Sequence, residues 1–381
     1  MDASERKGAM VTPKLHALIL AGGSVTRFWP WSRRGNPKQF LAIDGQQSLI
    51  ANTCDRLENW IAPERRWVLT RADLVEAVAS QLPDLAHEQI LGEPEGRDTA
   101  PALALGALRV AIEDPDALLL ILPSDHHISD PEAFRRTVER ARAALLEDDG
   151  LYTFGVTPTE PSTGFGYIER GDPTGAEGCF SVRGFLEKPD RERAEDFLAS
   201  GEHLWNAGIF LWRASTFLEE LSRAAADFTD GLLKLRDALM TGDSPAVARA
   251  FELLPKISID YALLEKSDRV RVVEAAFPWD DVGTWDAVER LRTDRADEAG
   301  NVLDPGAIAI ESRTSVVIGA GERIAAERVS GVRNRAIVLF GVEDLLVVET
   351  DDALLVCPRN RAQEIRRVVD ALKSVGREDL L

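Results

Sequence analysis

Only three cysteines occur in this chain, Cys54, Cys179 and Cys357. An odd number without paired spacing argues against a disulfide framework or a zinc site and fits a reducing cytoplasm. Long apolar runs are missing as well. None reaches the length of a membrane span, and the polar opening MDASERKGAMVTPK lacks the apolar core of a signal peptide, so neither export nor membrane insertion is expected. Positive charge is the scarcer sign: 45 Lys and Arg face 64 Asp and Glu, giving a formal net charge of −19 and a pI near 4.8. Nucleic acid and anionic membranes would be repelled overall, so a polyanionic ligand must find its positive charge locally. There is no repeat of roughly 20 to 50 residues and no low-complexity tract, which sets aside solenoids and linker-rich chains.

What is present is a chain of 381 residues, 45% hydrophobic, long enough to bury a sizeable core in one large domain and a smaller one. Its local positive charge gathers early. The apolar run Leu15 to Leu20 stops at Gly22-Gly23, and basic residues recur at Arg27, Arg33, Arg34 and Lys38. That is the pattern of a buried strand opening into an anion-holding loop, where adjacent glycines let backbone N–H groups approach phosphate. Two familiar phosphate loops are excluded. A Walker A loop needs Lys directly after its last Gly, whereas Lys38 lies between Pro37 and Gln39. A dinucleotide fingerprint needs a third spaced Gly opening a helix, and this loop runs into Phe28-Trp29-Pro30. From the glycines alone, a plain strand-to-helix connection with solvated arginines reads as well.

Downstream, apolar runs predict strands over 67–70, 89–91, 117–122 and 151–156, separated by helical patterns over 48–60, 73–82, 99–113 and 131–147. Such alternation predicts a mostly parallel sheet with helices on both faces and ligands beyond the carboxyl ends of its strands. The most apolar strand ends in Pro123-Ser124-Asp125-His126-His127, so Asp125 is either a turn cap or a carboxylate presented to a ligand. Neighbouring histidines on a strand point in opposite directions, so His126 and His127 are given structural roles rather than read as a metal pair. Between these loops, Glu93 to Pro101 reads as a turn delivering a helix, with Asp98 or Thr99 as N-cap. After another strand over 270–275, residues 304–350 carry short β-type runs at 307–310, 315–318, 336–340 and 345–349, followed by a terminal helix over 361–374.

The pattern A-G-G-x-x-x-R-x-W-P, Ala21 to Pro30, followed by P-K-Q-F, Pro37 to Phe40, resembles the signature of the sugar-phosphate nucleotidyltransferases. Its Trp-Pro and P-K-Q-F variants resemble the mannose-1-phosphate guanylyltransferase branch. Val25 departs from the Gly that many members carry, and a β-branched residue resists positive φ. Asp98 stands where the family has Asn in E-P-x-x-R-N-T-A-P-A. Further segments are similar to family motifs: Thr163 to Glu169 (T-G-[FY]-G-Y-I-E), Phe185 to Pro189 (F-x-E-K-P), Trp205 to Phe210 (W-N-[AS]-G-[IM]-F), Ile257 to Lys266 (I-S-x-D-Y) and Trp279 to Trp285 (W-x-D-[LV]-G-x-W). Taken singly, the first four would be a Gly-aromatic hairpin, a surface lysine, a satisfied buried amide and an ordinary early-helix acid completing a Ser258 cap.

The resemblance implies an α/β fold, a Rossmann-like, mostly parallel sheet with helices on both faces, plus a small β-rich, left-handed β-helix-like C-terminal domain. Laid on the numbering, it gives a polar extension over 1–14, a catalytic domain over 15–295 and a C-terminal domain over 296–381. It implies nucleotide contacts from Leu20, Ala21, Gly22, Gly23, Ser24, Val25, Thr26, Arg27, Lys38, Glu93, Arg97, Thr99, Pro123, Ser124 and Asp125. Sugar-phosphate contacts fall to Gly166, Tyr167, Glu169, Glu187, Lys188, Asn206, Gly208 and Asp260. The metal pair is Asp125 with Asp281, rather than Asp280, and two carboxylates suit Mg²⁺. Arg27, Lys38, Asp125, Lys188 and Asp281 form the implied catalytic set. The implied reaction transfers GMP from GTP to α-D-mannose 1-phosphate, giving GDP-mannose and pyrophosphate, with a homodimer open as the assembly. The chain ends before the phosphomannose isomerase domain of longer relatives, so a monofunctional enzyme is expected. Another sugar 1-phosphate and nucleotide pair, or a nucleotide-sugar sensor without turnover, remain as alternatives.

Overall fold

In the computed structural model, residues 12–23, 27–43, 47–319 and 336–381 are described; Ser24, Val25 and Thr26 of the expected phosphate loop lie outside them. Packing gathers the chain into two units, each discontinuous in sequence. The first takes its residues from Met1–Gly22, Leu57–Pro123 and Ile128–Pro278, and the second from Gly23–Arg56, Ser124–His127 and Trp279–Leu381. The stretch 15–295 therefore supplies residues to both.

The first unit is built on a nine-stranded sheet in the order Ile90–Glu93, Arg66–Arg71, Leu15–Leu20, Leu118–Pro123, His203–Arg213, Leu151–Val156, Val270–Glu274, Cys179–Glu187, Gly166–Pro173. The first four strands are parallel, as the α/β alternation of their sequence requires. His203–Arg213 then enters antiparallel between Leu118–Pro123 and Leu151–Val156, and the last two strands form a hairpin, so parallel pairing does not extend across the sheet. A short turn over 174–178 joins the two hairpin strands, and only antiparallel neighbours can be joined that way.

Both faces of the sheet are covered. Leu18, Leu69, Leu119, Ile121, Phe210 and Trp212 share a core with Leu103, Ala107, Phe217, Leu221, Phe228 and Leu235 from helices and turns. Leu118, Leu120 and Leu122 alternate to the opposite face and are just as buried. Helix Thr99–Ala111 lies so close to the sheet that a Cβ on Gly106 would stand 3.0 Å from Leu69 Cδ1. Helix Pro131–Glu147 starts where its sequence says it should: Asp130 accepts from the Ala133 N–H at 2.8 Å, and Pro131 opens the first turn. The expected helix over 48–60 is shorter, Leu49–Asp55 capped by Ser48, and Asn59 at φ 56° takes the following turn left-handed.

The second unit holds a four-stranded sheet, Val302–Leu303, Val316–Ile318, Leu345–Glu349 and Leu354–Pro358, and a two-stranded parallel sheet, Ala307–Ile310 with Ile337–Phe340. Its core joins Phe28, Trp29, Leu41, Ile43 and Leu49 to Val282, Trp285, Val316, Ile318, Leu346, Val348 and Ile365. The terminal helix is Ile365–Ser374, entered through a 3₁₀ segment, Arg359–Glu364. All three cysteines are free thiols. Among the described residues, no helix is long and apolar enough to cross a membrane.

Candidate active site

In the second unit, three sequence-distant groups meet. The Lys38 ammonium donates to Asp125 Oδ2 at 2.7 Å, 87 residues away, and to the backbone oxygen of Asp281 at 2.7 Å, 243 residues away. Lys38 begins a single 3₁₀ turn, Lys38–Phe40, and its side chain is 16% exposed. Burial alone would make the Asp125 carboxyl harder to ionise, but the Lys38 ammonium outweighs it and holds the carboxyl below the usual carboxylate range. Asp281 goes the other way. Burial raises its carboxyl, and the neighbouring Asp280 and Asp125 carboxylates add to the rise against the pull of Lys38. Asp280 accepts from the Val282 N–H at 2.7 Å and pairs with Arg290 at 2.8 Å, so it holds the turn. Asp281 carries no such ion pair with Arg290, and its Oδ1 accepts from the Gly283 N–H at 3.2 Å.

His126 has the structural surroundings expected of it: its Nδ1 accepts from the Trp279 indole N–H at 3.1 Å, and burial pushes its pKa down to about 4. Arg27 is exposed and takes no part in these bonds, and the Ser124 carbonyl accepts from the Thr53 hydroxyl at 3.4 Å. Among the described residues, no group of three or more His, Cys, Asp or Glu side chains could hold a metal ion unaided. A divalent ion of the Mg²⁺ kind needs less, because it takes one or two carboxylates and completes its shell with water and substrate phosphates. Asp125 and Asp281 offer hard oxygen donors, and the raised carboxyl of Asp281 marks a spot that gains from an added cation. The residues fit the group.

In the first unit, the parallel strand ends form one cluster. Ala21, directly after Leu20, donates to the Leu69 carbonyl at 2.7 Å and accepts from the Thr70 hydroxyl at 3.0 Å. A Cβ on Gly22 would lie 3.5 Å from Glu93 Oε1. Glu93 is buried at the end of its strand, and burial, then the Asp98 carboxylate, pushes its pKa up to about 7. Asp98 rather than Thr99 is the N-cap: at φ 69° it accepts from the Thr99 N–H at 2.8 Å. Thr99 uses its hydroxyl to accept from the Ile259 N–H at 2.8 Å, and Arg97 donates to the Leu254 carbonyl at 2.9 Å. Both therefore brace the segment that carries Asp260.

A second cluster in this unit collects the expected sugar-phosphate residues, but not all of them. Asn206 donates to Asp260 Oδ1 at 3.1 Å and accepts from the Thr153 hydroxyl at 2.9 Å and the Gly208 N–H at 3.2 Å. Gly208, at φ 66°, makes that turn. Lys188, itself at φ 48°, donates to Glu187 Oε1 at 2.6 Å. Burial and then the Glu187 carboxylate push Asp260 up to about 7. Gly166 has a role the motif does not reveal: a Cβ there would stand 2.5 Å from Glu187 Oε2 and displace it. The glycine makes room for this carboxylate. Tyr167 and Glu169 alternate to the other face of the same strand, Tyr167 donating to the Ser162 carbonyl at 2.9 Å and Glu169 lying against Gly184. Neither joins the cluster of Glu187, Lys188, Asn206 and Asp260.

Residues 16–298 match the family model described as nucleotidyl transferase. The chain belongs to the nucleotidyl transferase family. Residues 306–372 of this nucleotidyl transferase match a second model, the MannoseP isomerase/GMP-like beta-helix domain. It is 37% identical over 380 residues to mannose-1-phosphate guanylyltransferase of Escherichia coli K12, covering 97% of this chain and 76% of that one. It is 38% identical over 373 residues to alginate biosynthesis protein AlgA of Pseudomonas aeruginosa, covering 95% and 73%. Among solved structures it is similar to the mannose-1-phosphate geranyltransferase of Thermus thermophilus, with a TM-score of 0.79 at 34% identity over 94% of this chain and 99% of that one.

Sequence reasoning missed some members of this nucleotidyl transferase's clusters. Thr153 sits inside an apolar run, and only its bond to Asn206 reveals it. Arg290, which neutralises Asp280, lies on helix Trp285–Leu291 with no motif around it.

Proposed function

We propose that the protein transfers GMP from GTP to α-D-mannose 1-phosphate, releasing pyrophosphate. The observation that carries this reading is the convergence of Lys38, Asp125 and Asp281, drawn from three separate signature segments. The choice of substrates rests on the E. coli relative, which bears that name over nearly the whole chain. The proposed layout is a catalytic stretch over 15–295 and a β-rich one over 296–381.

The sugar 1-phosphate is a monoester with a second pKa near about 6, so its attacking oxygen is already anionic at neutral pH and needs no general base. The chain's task is then to hold both substrates in line and offset their charge. Gly22, Gly23, Arg27 and Lys38 line the triphosphate in this reading, with Glu93, Arg97 and Thr99 beside the nucleoside. Lys188 neutralises the sugar phosphate, and Glu187, Asn206 and Asp260 accept from or donate to sugar hydroxyls. Mg²⁺ held by Asp125 and Asp281 would supply charge neutralisation at the phosphates.

The test is pyrophosphate release with Mg²⁺ and mannose 1-phosphate, comparing GTP with ATP, UTP and dTTP, then exchanging mannose for glucose 1-phosphate. Preference for GTP with mannose 1-phosphate is expected. Preference for another pair would replace the substrates, and binding without release in every combination would make the protein a nucleotide-sugar sensor.

A further inference from the structure

The loop that carries Lys38 is fastened at both ends by groups beyond residue 284, of which only Trp285 belongs to a signature motif. At its start, the Trp29 indole N–H donates to the Leu380 carbonyl at 2.8 Å. The Arg33 guanidinium, 5.4 Å from the Trp29 ring, donates to the same carbonyl and, at 2.8 Å, to Asp352. Trp285 closes behind them, its indole N–H donating to the Trp29 carbonyl at 3.3 Å and its ring meeting Phe28 edge-on at 5.1 Å. At the far end, Arg292 Nε donates to the Ile43 carbonyl at 2.8 Å while its guanidinium pairs with Asp304 at 2.6 Å, both side chains buried.

Lys38 sits between these clamps, and its flexible stem does not aim itself. A single ammonium–carboxylate pair at the end of a flexible side chain does not order a loop by itself. Two clamps on the backbone do what the ion pair cannot, since each fixes a carbonyl or ring on the same short segment. We propose that Trp29, Arg33 and Arg292 are positioning residues: held by the Leu380 carbonyl, Asp352 and Asp304, they keep Lys38 aimed at Asp125 and at the Asp281 carbonyl. The C-terminal segment thus sets the geometry of the stretch between Trp29 and Ile43 that carries Lys38. The kinetic part of this inference rests on the transferase reading, but the placement of Lys38 does not.

The test uses the full chain and two variants, Arg33→Met and Trp29→Phe, with two readouts. In the first, substrate-free protein is briefly treated with acetic anhydride and acetylation of each lysine is followed by mass spectrometry. Lys38 should react several-fold faster in both variants, while Lys234, exposed on another helix, is unchanged. In the second, kcat for pyrophosphate release should fall roughly tenfold, with the KM for mannose 1-phosphate unaltered. Unchanged Lys38 labelling in a folded variant overturns the inference. Should Arg33→Met not fold, Trp29→Phe, which keeps a ring and loses the N–H donor, carries the same expectation, and failure of both to fold overturns it in favour of a purely stabilising role. Faster labelling in variants of a protein that transfers nothing would leave the anchoring intact and remove the transferase reading; normal transfer with unchanged labelling would do the reverse.

Discussion

The carboxyls of Asp125 and Asp281 are shifted in opposite directions for reasons visible around each side chain. Lys38 holds Asp125 ionised, whereas burial and two neighbouring carboxylates work against ionisation of Asp281. Replacing Asp281 with Asn keeps its shape and removes the charge. Pyrophosphate release should fall by roughly 10²- to 10³-fold, with the circular dichroism spectrum unchanged; retained Mg²⁺-dependent turnover would refute the assignment. Asp260 supports a prediction about pH. Its pKa rises to about 7 in the fold, above its ordinary value of 3.8, because of burial and Glu187. The unfolded chain therefore releases this proton first, and stability is full at low pH and declines as pH rises towards 7. Asp260→Asn should be more stable than the parent at pH 8, by on the order of a few kcal/mol at most, with the gap closing by pH 4. Thermal melts at the two pH values measure it.

Helix Thr99–Ala111 and the turn before it show how much one element asks of a single residue. Asp98 adopts φ 69°, caps the first N–H and helps push the Glu93 carboxyl up. Asn tolerates the same conformation and caps as well, so Asp98→Asn should leave stability within about 0.5 kcal/mol of the parent while moving the Glu93 carboxyl down, which carbon-detected NMR titration can follow. Asp98→Ala loses cap and conformation together and should cost about 1–3 kcal/mol in a urea melt. In the hairpin, Gly166→Ala would drive a methyl into Glu187. The expected result is a raised KM for the sugar phosphate with little change in the KM for nucleotide, because Glu187 moves and the strand ends near Glu93 do not.

Across the whole molecule, the division into two units cuts across chain order, and the second unit depends on a buried ion pair. Arg292 and Asp304 are 1% and 4% exposed in their side chains. Removing one partner leaves the other charged in a dry site, so Asp304→Asn should destabilise by about 3–5 kcal/mol, read as a lowered melting temperature. The same unit draws Gly23–Arg56 and Ser124–His127 together with Trp279–Leu381, and that explains why the loop holding Lys38 shares a core with residues at the far end of the chain.

The sequence determined the parts that follow from local chemistry. Apolar runs of strand length, Asp130-Pro131 at a helix start and glycines after Leu20 each encode their own element, and all are where their residues require. The signature motifs were enough to place the chain in its family. Tertiary structure alone decided three things. It turned His203–Arg213 antiparallel between two parallel segments, a choice made by neighbours in space. It set Gly166 opposite Glu187 by cross-strand register, which leaves Tyr167 and Glu169 on the other face of the hairpin from Glu187. And it paired Trp29 and Arg33 with the Leu380 carbonyl, whose partners lie 351 and 347 residues away. A contact of that span has no periodicity to read; it exists only once packing has brought both ends of the chain into one core.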